Sequence, residues 1–371
     1  MNILYIAPIS GPITGLSLAS KVFLGELQRS HHVKVLDYSK GGLVHGVNSF
    51  ERILQVFKLF QTIIKIKSKY DVIYMTMSQS ISGNIKDNLI LFLLLAQLPI
   101  TILHLHGGGI RKHVYDRSKY LSHLARILLS RVNTIIVLGE SLKTIFRNIV
   151  EEEKIKVVNN FAEPALFNSK DKIIKKYDEM KTINILFLSN LIHGKGHEEL
   201  FNAYKTIPGN IQKKITINYA GHFSTVEEEE KFLKKIQGYH NVKYHGPVDL
   251  INKCKLFDEN HIYCLPTYYK YEGQPISIIE AYASGCAVIT TNHAGIKDIF
   301  DDRINGFYVK RKSPESIKEI LCTLSSQKNK LKSIGLNNNA RAKRYYTQKT
   351  FLSNMVTIIE QPNRKVVKYE K

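Results

Sequence analysis

Acidic side chains, paired cysteines and long apolar runs are all scarce in this sequence, and each scarcity narrows the choice. The four cysteines, Cys254, Cys264, Cys286 and Cys322, form no Cys-x-x-Cys pair, and no histidine stands beside them at zinc-finger spacing. A disulfide scaffold or zinc module is therefore not expected. Cys264 and Cys286 lie inside apolar runs and read as buried thiols, which suits a reducing compartment. The most apolar run, residues 89–98, is half the roughly 20 residues that a bilayer-spanning helix needs, so a buried helix is expected there. The first residues, Met1-Asn2-Ile3-Leu4-Tyr5-Ile6-Ala7, lack a basic leader and read as a strand rather than a signal peptide. Also missing are a Gly-x-Gly-x-x-Gly fingerprint, a Walker loop, an Asp-x-Asp pair and any internal repeat.

What is present is positive charge. The 371 residues carry 53 Lys and Arg against 32 Asp and Glu, a formal net charge of +21. Residues 1–150 hold 18 of the basic and 7 of the acidic side chains, so the first part is the denser in cations. Such a surface suits nucleic acid, anionic lipid or phosphorylated ligands. A lysine-rich composition alone gives the same number, so charge does not decide between them. An apolar content of 44% is ordinary for a globular chain.

The length favours two domains. Short β-type runs at 3–7, 33–36, 72–75, 101–105 and 134–138 alternate with helical patterns. A second series follows at 185–188, 215–219, 262–265, 287–290 and 306–309. This alternation predicts an α/β fold of two doubly wound, Rossmann-like domains with parallel sheets, facing each other across a cleft. The polar stretch 166–182 marks the boundary. The expected domains are 1–170 and 183–345. A C-terminal helix and basic tail, 346–371, would pack back on the first domain; its helical apolar spacing falls at Phe351, Met355 and Ile359, or at Leu352 with Val356 on a neighbouring stripe.

Four segments carry candidate chemistry. The strongest runs from Leu265 through Glu272-Gly273-Gln274-Pro275-Ile276 to Glu280 and Gly285. A strand ends, a loop carries Glu272, Pro275 opens a helix and Gly285 closes it. Glu280 lies among Ile276, Ile278, Ile279 and Ala281, where a buried carboxylate needs donors such as vicinal ribose hydroxyls. The free N–H groups of the helix start suit a diphosphate. The second segment, Asn190-Leu191-Ile192-His193-Gly194-Lys195-Gly196, sets an ammonium at a helix start. The third, Pro8 to Ser17, is a glycine loop after the first strand, where backbone can approach a ligand; a plain structural turn reads almost as well. The fourth is His104-Leu105-His106-Gly107-Gly108-Gly109. Alternation puts both histidines on one side of a strand. No further ligand follows at metal spacing, so His106 reads as a cleft residue and His104 as a packed one.

Glu272 and Glu280, eight apart, resemble the paired-glutamate signature of the retaining glycosyltransferases of family 4, which have the GT-B fold. Tyr244-His245-Gly246-Pro247-Val248 resembles the family's turn near the nucleotide base, and Asn292–Ile299 and Asn305-Gly306-Phe307 its closing strands. The likeness covers most of residues 183–310. It implies that Glu280 binds the ribose and Glu272 the donor sugar's hydroxyls. The amides of Gly273, Gln274, Pro275's neighbourhood and Ile276 would hold sugar and phosphate, with Val248 near the base. Gly15 and Leu16 would face the phosphates, His106 would lie beside the sugar, and Lys195 would neutralise the leaving diphosphate. The family often has arginine where this chain has Asn190, so that second cation is missing.

The resemblance thus implies a retaining, metal-independent hexosyltransferase with no cofactor beyond its nucleotide-sugar substrate. The catalytic group would be Glu272, Lys195 and His106. Basic stretches at Lys58, Lys65, Lys67 and Lys69, and at Arg111, Lys112, Arg117 and Lys119, could face anionic lipid. The expected acceptor is therefore a glycan or a polyprenyl-diphosphate-linked glycan. The expected location is the cytoplasm, peripheral on the inner membrane face, in surface polysaccharide assembly. A nucleotide-sugar epimerase or glycan phosphorylase would share the architecture. A basic nucleic-acid-binding protein would explain the charge, but no recognition helix or RNP-like motif accompanies it.

Overall fold

Two separate parallel sheets organise the chain. The computed structural model describes residues 1–10, 14–39, 49–65 and 69–361, with backbone only for 49–56. Gly11 to Ile13 of the glycine loop, Lys67 and the tail from 364 lie outside the described residues. One compact unit comprises Met1–Asn159 with the residues from Phe351 onward, and the other comprises Asn160–Thr350.

The first unit holds β1 (Asn2–Ala7), β2 (His32–Asp37), β3 (Val72–Thr76), β4 (Thr101–Leu105), β5 (Thr134–Val137) and β6 (Ile155–Val157). The order across its sheet is β2-β1-β3-β4-β5-β6, all parallel. The second holds β7 (Ile183–Leu188), β8 (Ile215–Ala220), β9 (Val242–Tyr244), β10 (Ile262–Leu265), β11 (Ala287–Thr290) and β12 (Gly306–Tyr308). Its order, β12-β11-β10-β7-β8-β9, again all parallel, is that of a six-stranded doubly wound sheet.

The central strands are buried along their whole length, as apolar runs between two helical layers must be. The two strands with no signal in the apolar pattern, β6 and β9, are three residues long and lie at sheet edges. Each carries an exposed lysine at its centre, Lys156 and Lys243, which hides the apolar pattern and blunts the edge. Gly306 opens β12 at φ +148, where a Cβ would meet the Val288 carbonyl oxygen at 1.7 Å, so only glycine fits. Cys264 and Cys286 are buried and all four thiols are free.

Two expectations need correction. The first unit ends at Asn159, not within the polar stretch 166–182. That stretch forms the helix Lys170–Asp178 of the second unit, with Ile173 and Tyr177 in its core and Lys176 Nζ donating to the Ser284 carbonyl at 2.9 Å. Its polarity is that of an amphipathic helix, not of a linker. The run 89–98 is not a buried helix either. Helix Ile81–Leu93 stops and a 3₁₀ segment, Leu95–Ile100, contains Pro99. Leu89, Phe92, Leu93 and Leu95 are exposed.

The last helix, Gln348–Glu360, buries Phe351, Met355 and Ile359. Phe351 belongs to the first unit, edge-on to Phe23 at 6.5 Å between ring centroids.

Candidate active site

In the second sheet the chain leaves β7, builds β8 and β9 on one side, then returns to place β10 on the other. Ligands of doubly wound sheets sit beyond the carboxyl ends of the two strands at such a reversal. The two segments most charged with chemistry, after β7 and after β10, are therefore neighbours. They are sewn together. Tyr268 N donates to the Gly194 carbonyl at 2.7 Å, and Thr267 Oγ1 lies 3.2 Å from the same oxygen. Gly194 and Gly196 both have positive φ, +93 and +94. A Cβ on Gly196 would lie 2.7 Å from the Pro266 carbonyl oxygen, so this close approach requires glycine.

That seam brings Lys195 to Glu272. Nζ donates to Oε2 at 2.8 Å, and Thr267 Oγ1 donates to the same oxygen at 2.9 Å. The ammonium also stands over the Tyr269 ring, 4.9 Å from its centroid. Glu272 is only 7% exposed, so this pairing offsets its loss of contact with water. Behind it, His293 Nε2 and the Tyr269 carbonyl are 2.8 Å apart, and Gly295 N donates to the Gly273 carbonyl at 3.0 Å. Burial holds the His293 imidazole below its usual value.

Helix Ile276–Ala283 starts immediately after, with Pro275 as its N-cap at φ −64. In its first turn Ile278 N donates to the Pro275 carbonyl at 3.2 Å, and the two N–H groups before it precede the intrahelical ladder. Gln274, just before it, is buried; its side-chain oxygen accepts from Asn160 N at 2.7 Å, and its carbonyl accepts from Asn160 Nδ2 at 2.8 Å. Gln274 therefore braces the loop through these contacts. Ile276 is buried at the helix start.

Glu280 is 3% exposed, one turn into this helix. Its Oε1 accepts from Lys253 Nζ at 2.7 Å, and Lys253 also donates to Glu163. Burial pushes the Glu280 carboxyl above its usual value, against the pull of the ammonium. Burial alone would lower Lys253; the Glu280 and Glu163 carboxylates more than offset it and raise the ammonium.

Neither Lys253 nor Glu163 stands out in the sequence. The signal that would have found Lys253 is its spacing. It lies three and four residues before Leu256 and Phe257, the buried pair of helix Leu250–Glu259, so it projects from that helix's inward side. Asp249 caps this helix by accepting from Asn252 N at 2.8 Å. Val248, half-buried, precedes the cap at the carboxyl end of β9, and Asn190, also half-buried, follows β7.

The remaining candidates belong to the first unit. Thr14 and Ser17 form a capping box around Gly15, the exposed first residue of helix Gly15–Ser30, with Leu16 half-buried behind it. His106 follows β4, its ring centroid 3.8 Å from that of His104. His104 Nδ1 and the Tyr74 hydroxyl are 2.7 Å apart, so His104 is packed into the core. Burial pushes His106 down to about 3, which makes it a neutral imidazole at neutral pH. Its Nε2 has no hydrogen-bond partner among the described residues. Gly107 allows the chain past Gln79, whose Oε1 would lie 2.2 Å from an added Cβ and instead accepts from Gly109 N at 2.9 Å.

Residues 169–342 match the family model of the glycosyl transferases group 1. An uncharacterised glycosyltransferase of Methanocaldococcus jannaschii, MJ1069, is 24% identical over 267 residues, 69% of this chain and 67% of the relative. The capsular polysaccharide biosynthesis glycosyltransferase CapM of Staphylococcus aureus is 26% identical over 270 residues, 68% of each chain. These matches span about two thirds of the relatives' lengths. Among solved structures, HepE of Anabaena in complex with UDP and glucose aligns with a TM-score of 0.72 at 18% identity, over 97% of this chain and 100% of that one. WaaG, a glycosyltransferase involved in lipopolysaccharide biosynthesis, aligns at 0.70 and 15% identity, over 96% and 99%. The fold is the two-domain α/β GT-B fold of these structures. The family model and the relatives named here are all of glycosyltransferases.

Proposed function

We propose that the chain is a retaining glycosyltransferase of family 4 that moves a hexosyl unit from a nucleoside diphosphate onto a glycan or a lipid-linked glycan in surface polysaccharide assembly. The observation that carries this reading is the Lys195–Glu272 pair at the strand-order reversal, with a second buried carboxylate, Glu280, on the helix that follows.

The division of labour follows from the chemistry of each group. Lys253 occupies Oε1 of Glu280, and among the described residues no other donor reaches Oε2. That oxygen is the acceptor for ribose hydroxyls. Glu272 is anchored by Lys195 and Thr267 through one oxygen, leaving the other for hydroxyls of the sugar. Lys195 has three N–H donors, of which one is used by Glu272, and it turns the others to the diphosphate as negative charge grows on the leaving group. The first-turn amides of helix Ile276–Ala283 support the same charge.

Asn190 supplies at most a neutral donor, so diphosphate stabilisation leans on Lys195. The neutral His106 imidazole suits a hydrogen bond to a sugar hydroxyl rather than a charge contact. The anomeric centre passes through an oxocarbenium-like state, and Glu272 is not assigned as a nucleophile. No step calls on a metal ion. The enzyme would work from the cytoplasm at the inner membrane face, where a polyprenyl-diphosphate-linked acceptor presents its glycan.

The test is incubation of the chain with a panel of labelled nucleotide sugars and glycan or lipid-linked acceptors. The reading expects label in the acceptor with the anomeric configuration kept. Inversion at C2 of the free nucleotide sugar, or release of sugar phosphate from a glycan in phosphate buffer, would replace it with an epimerase or a phosphorylase.

A further inference from the structure

Helix Ile81–Leu93 has its polarity turned inside out. Its buried side holds Asn84, Asp87 and Asn88 beside Ile90 and Leu91. Asp87 accepts from Ser78 N at 2.6 Å and pairs with Lys86 at 2.5 Å, while Asn88 Nδ2 donates to Asn84 Oδ1 at 3.0 Å, so these inward polar groups are satisfied. Its outward side carries Ile81, Ile85, Leu89 and Phe92, which project within an arc of about 80°. Phe92 is 62% exposed and Leu89 47%. A globular helix normally shows the reverse arrangement. In a chain of net charge +21, no exposed position of this helix bears a charge.

The neighbouring helices extend the surface. Helix Lys119–Leu129 packs beside it and exposes Tyr120, Leu124 and Ile127 along one edge of its outer face. The other edge carries Lys119 and Arg126. From Arg117 to Gly139 the sequence contains no acidic residue, while Arg117, Lys119, Arg126 and Arg131 are all exposed cations. On the other flank, helix Ser49–Lys65 exposes Phe57 and Ile64 next to Lys58 and Lys65. Uncharged apolar side chains bordered by cations match the interfacial zone of an anionic bilayer, where rings and branched chains enter the acyl boundary and cations meet phosphate. Among the described residues no helix is long and apolar enough to cross a membrane.

We infer that the outward face of helix Ile81–Leu93, with the basic flank of helix Lys119–Leu129, is a surface that seats this unit on an anionic phospholipid membrane. This deepens the membrane-face part of the proposed function and rests on it only for the location of the acceptor.

The test is flotation of the full chain with vesicles of phosphatidylcholine alone or mixed with phosphatidylglycerol. The wild type is expected to float with the mixed vesicles. Ile85→Ser/Leu89→Ser/Phe92→Ser should weaken that binding by about tenfold or more, at any salt concentration, because apolar insertion is what it removes. Arg117→Gln/Lys119→Gln/Arg126→Gln should abolish the preference for phosphatidylglycerol while keeping residual binding. Both variants alter exposed side chains and should melt like the wild type and retain stabilisation by nucleotide sugar, which separates failure here from failure of the donor-site reading. Flotation unchanged by the apolar substitutions would overturn the inference. So would a concentration-dependent dimer that the same substitutions dissolve, with no vesicle binding by the wild type.

Discussion

Replacing Lys253 with methionine keeps the length of the side chain and removes the ammonium that Glu280 and Glu163 share. Glu280 is then a carboxylate 3% exposed with no cation beside it. Removing one partner of a buried ion pair costs about 3–5 kcal/mol, and the partial exposure of Glu163 places this site near the lower figure. The cost depends on pH, and its sign follows from Glu280. Its carboxyl already binds a proton more tightly in the folded chain than in the unfolded one, so this group's stability contribution is present at low pH and lost as pH rises through the folded value. Loss of the ammonium shifts that value further up. The deficit of Lys253→Met relative to wild type should therefore be small at about pH 5 and grow to about 3 kcal/mol at about pH 8.

Urea unfolding of the second unit at both pH values measures it. Glu280→Gln should cost only about 1 kcal/mol, since Lys253 keeps Glu163. The double variant should cost well under the sum of the singles, because no uncompensated carboxylate is then left at position 280. A deficit under about 0.5 kcal/mol at high pH, or one that does not change with pH, would show that Glu280 draws its support from elsewhere.

Further outcomes are expected elsewhere. Gly196→Ala forces a side chain into positive φ and against Pro266, which should cost about 1–3 kcal/mol in a thermal melt and slow turnover by displacing Lys195. Lys195→Ala should slow turnover by about a hundredfold or more while changing donor affinity far less, since the charge it meets grows mainly in the transition state; equal losses in both would remove it from that role. In the second unit, burial holds His197 and His261 at about 4. Both take up protons on unfolding, so the stability they contribute is full above about pH 6.5 and is lost as pH falls toward the folded values, at about 1.4 kcal/mol per pH unit for each. Chemical denaturation between those limits should show that slope, and a flat profile would contradict it.

The sheets were legible because parallel strands buried on both faces read as plain apolar runs; Thr101–Leu105, Ile262–Leu265 and Ala287–Thr290 coincide with their expected spans. What escaped had a physical reason in each case. The strands β6 and β9 carry a lysine in the middle of three residues. Helix Lys170–Asp178 looks like a linker because only Ile173 and Tyr177 face inward. The run 89–98 looked like a buried helix because it is apolar throughout, yet Leu89, Phe92, Leu93 and Leu95 face outward while Ile90 and Leu91 share the inward side with Asn84, Asp87 and Asn88, and composition cannot distinguish the two sides.

In the site, the local motifs around Lys195, Glu272 and Glu280 were visible, but their pairing was not. Lys195 and Glu272 lie 77 residues apart and meet only because β7 and β10 are neighbours. Lys253 and Glu163 lie in unremarkable polar stretches, and their role is set by the buried carboxylate between which and Glu163 the ammonium is held.

The most direct test of the donor site is ligand-induced stabilisation of wild type and Glu280→Ala by the nucleotide sugar that the transfer assay selects. At a hundredfold excess over its dissociation constant, the donor should stabilise the wild type by about 2.7 kcal/mol. The folded Glu280→Ala variant should show no such gain and no transfer. A variant that keeps the full stabilisation and full turnover would contradict the assignment of Glu280, and with it the site.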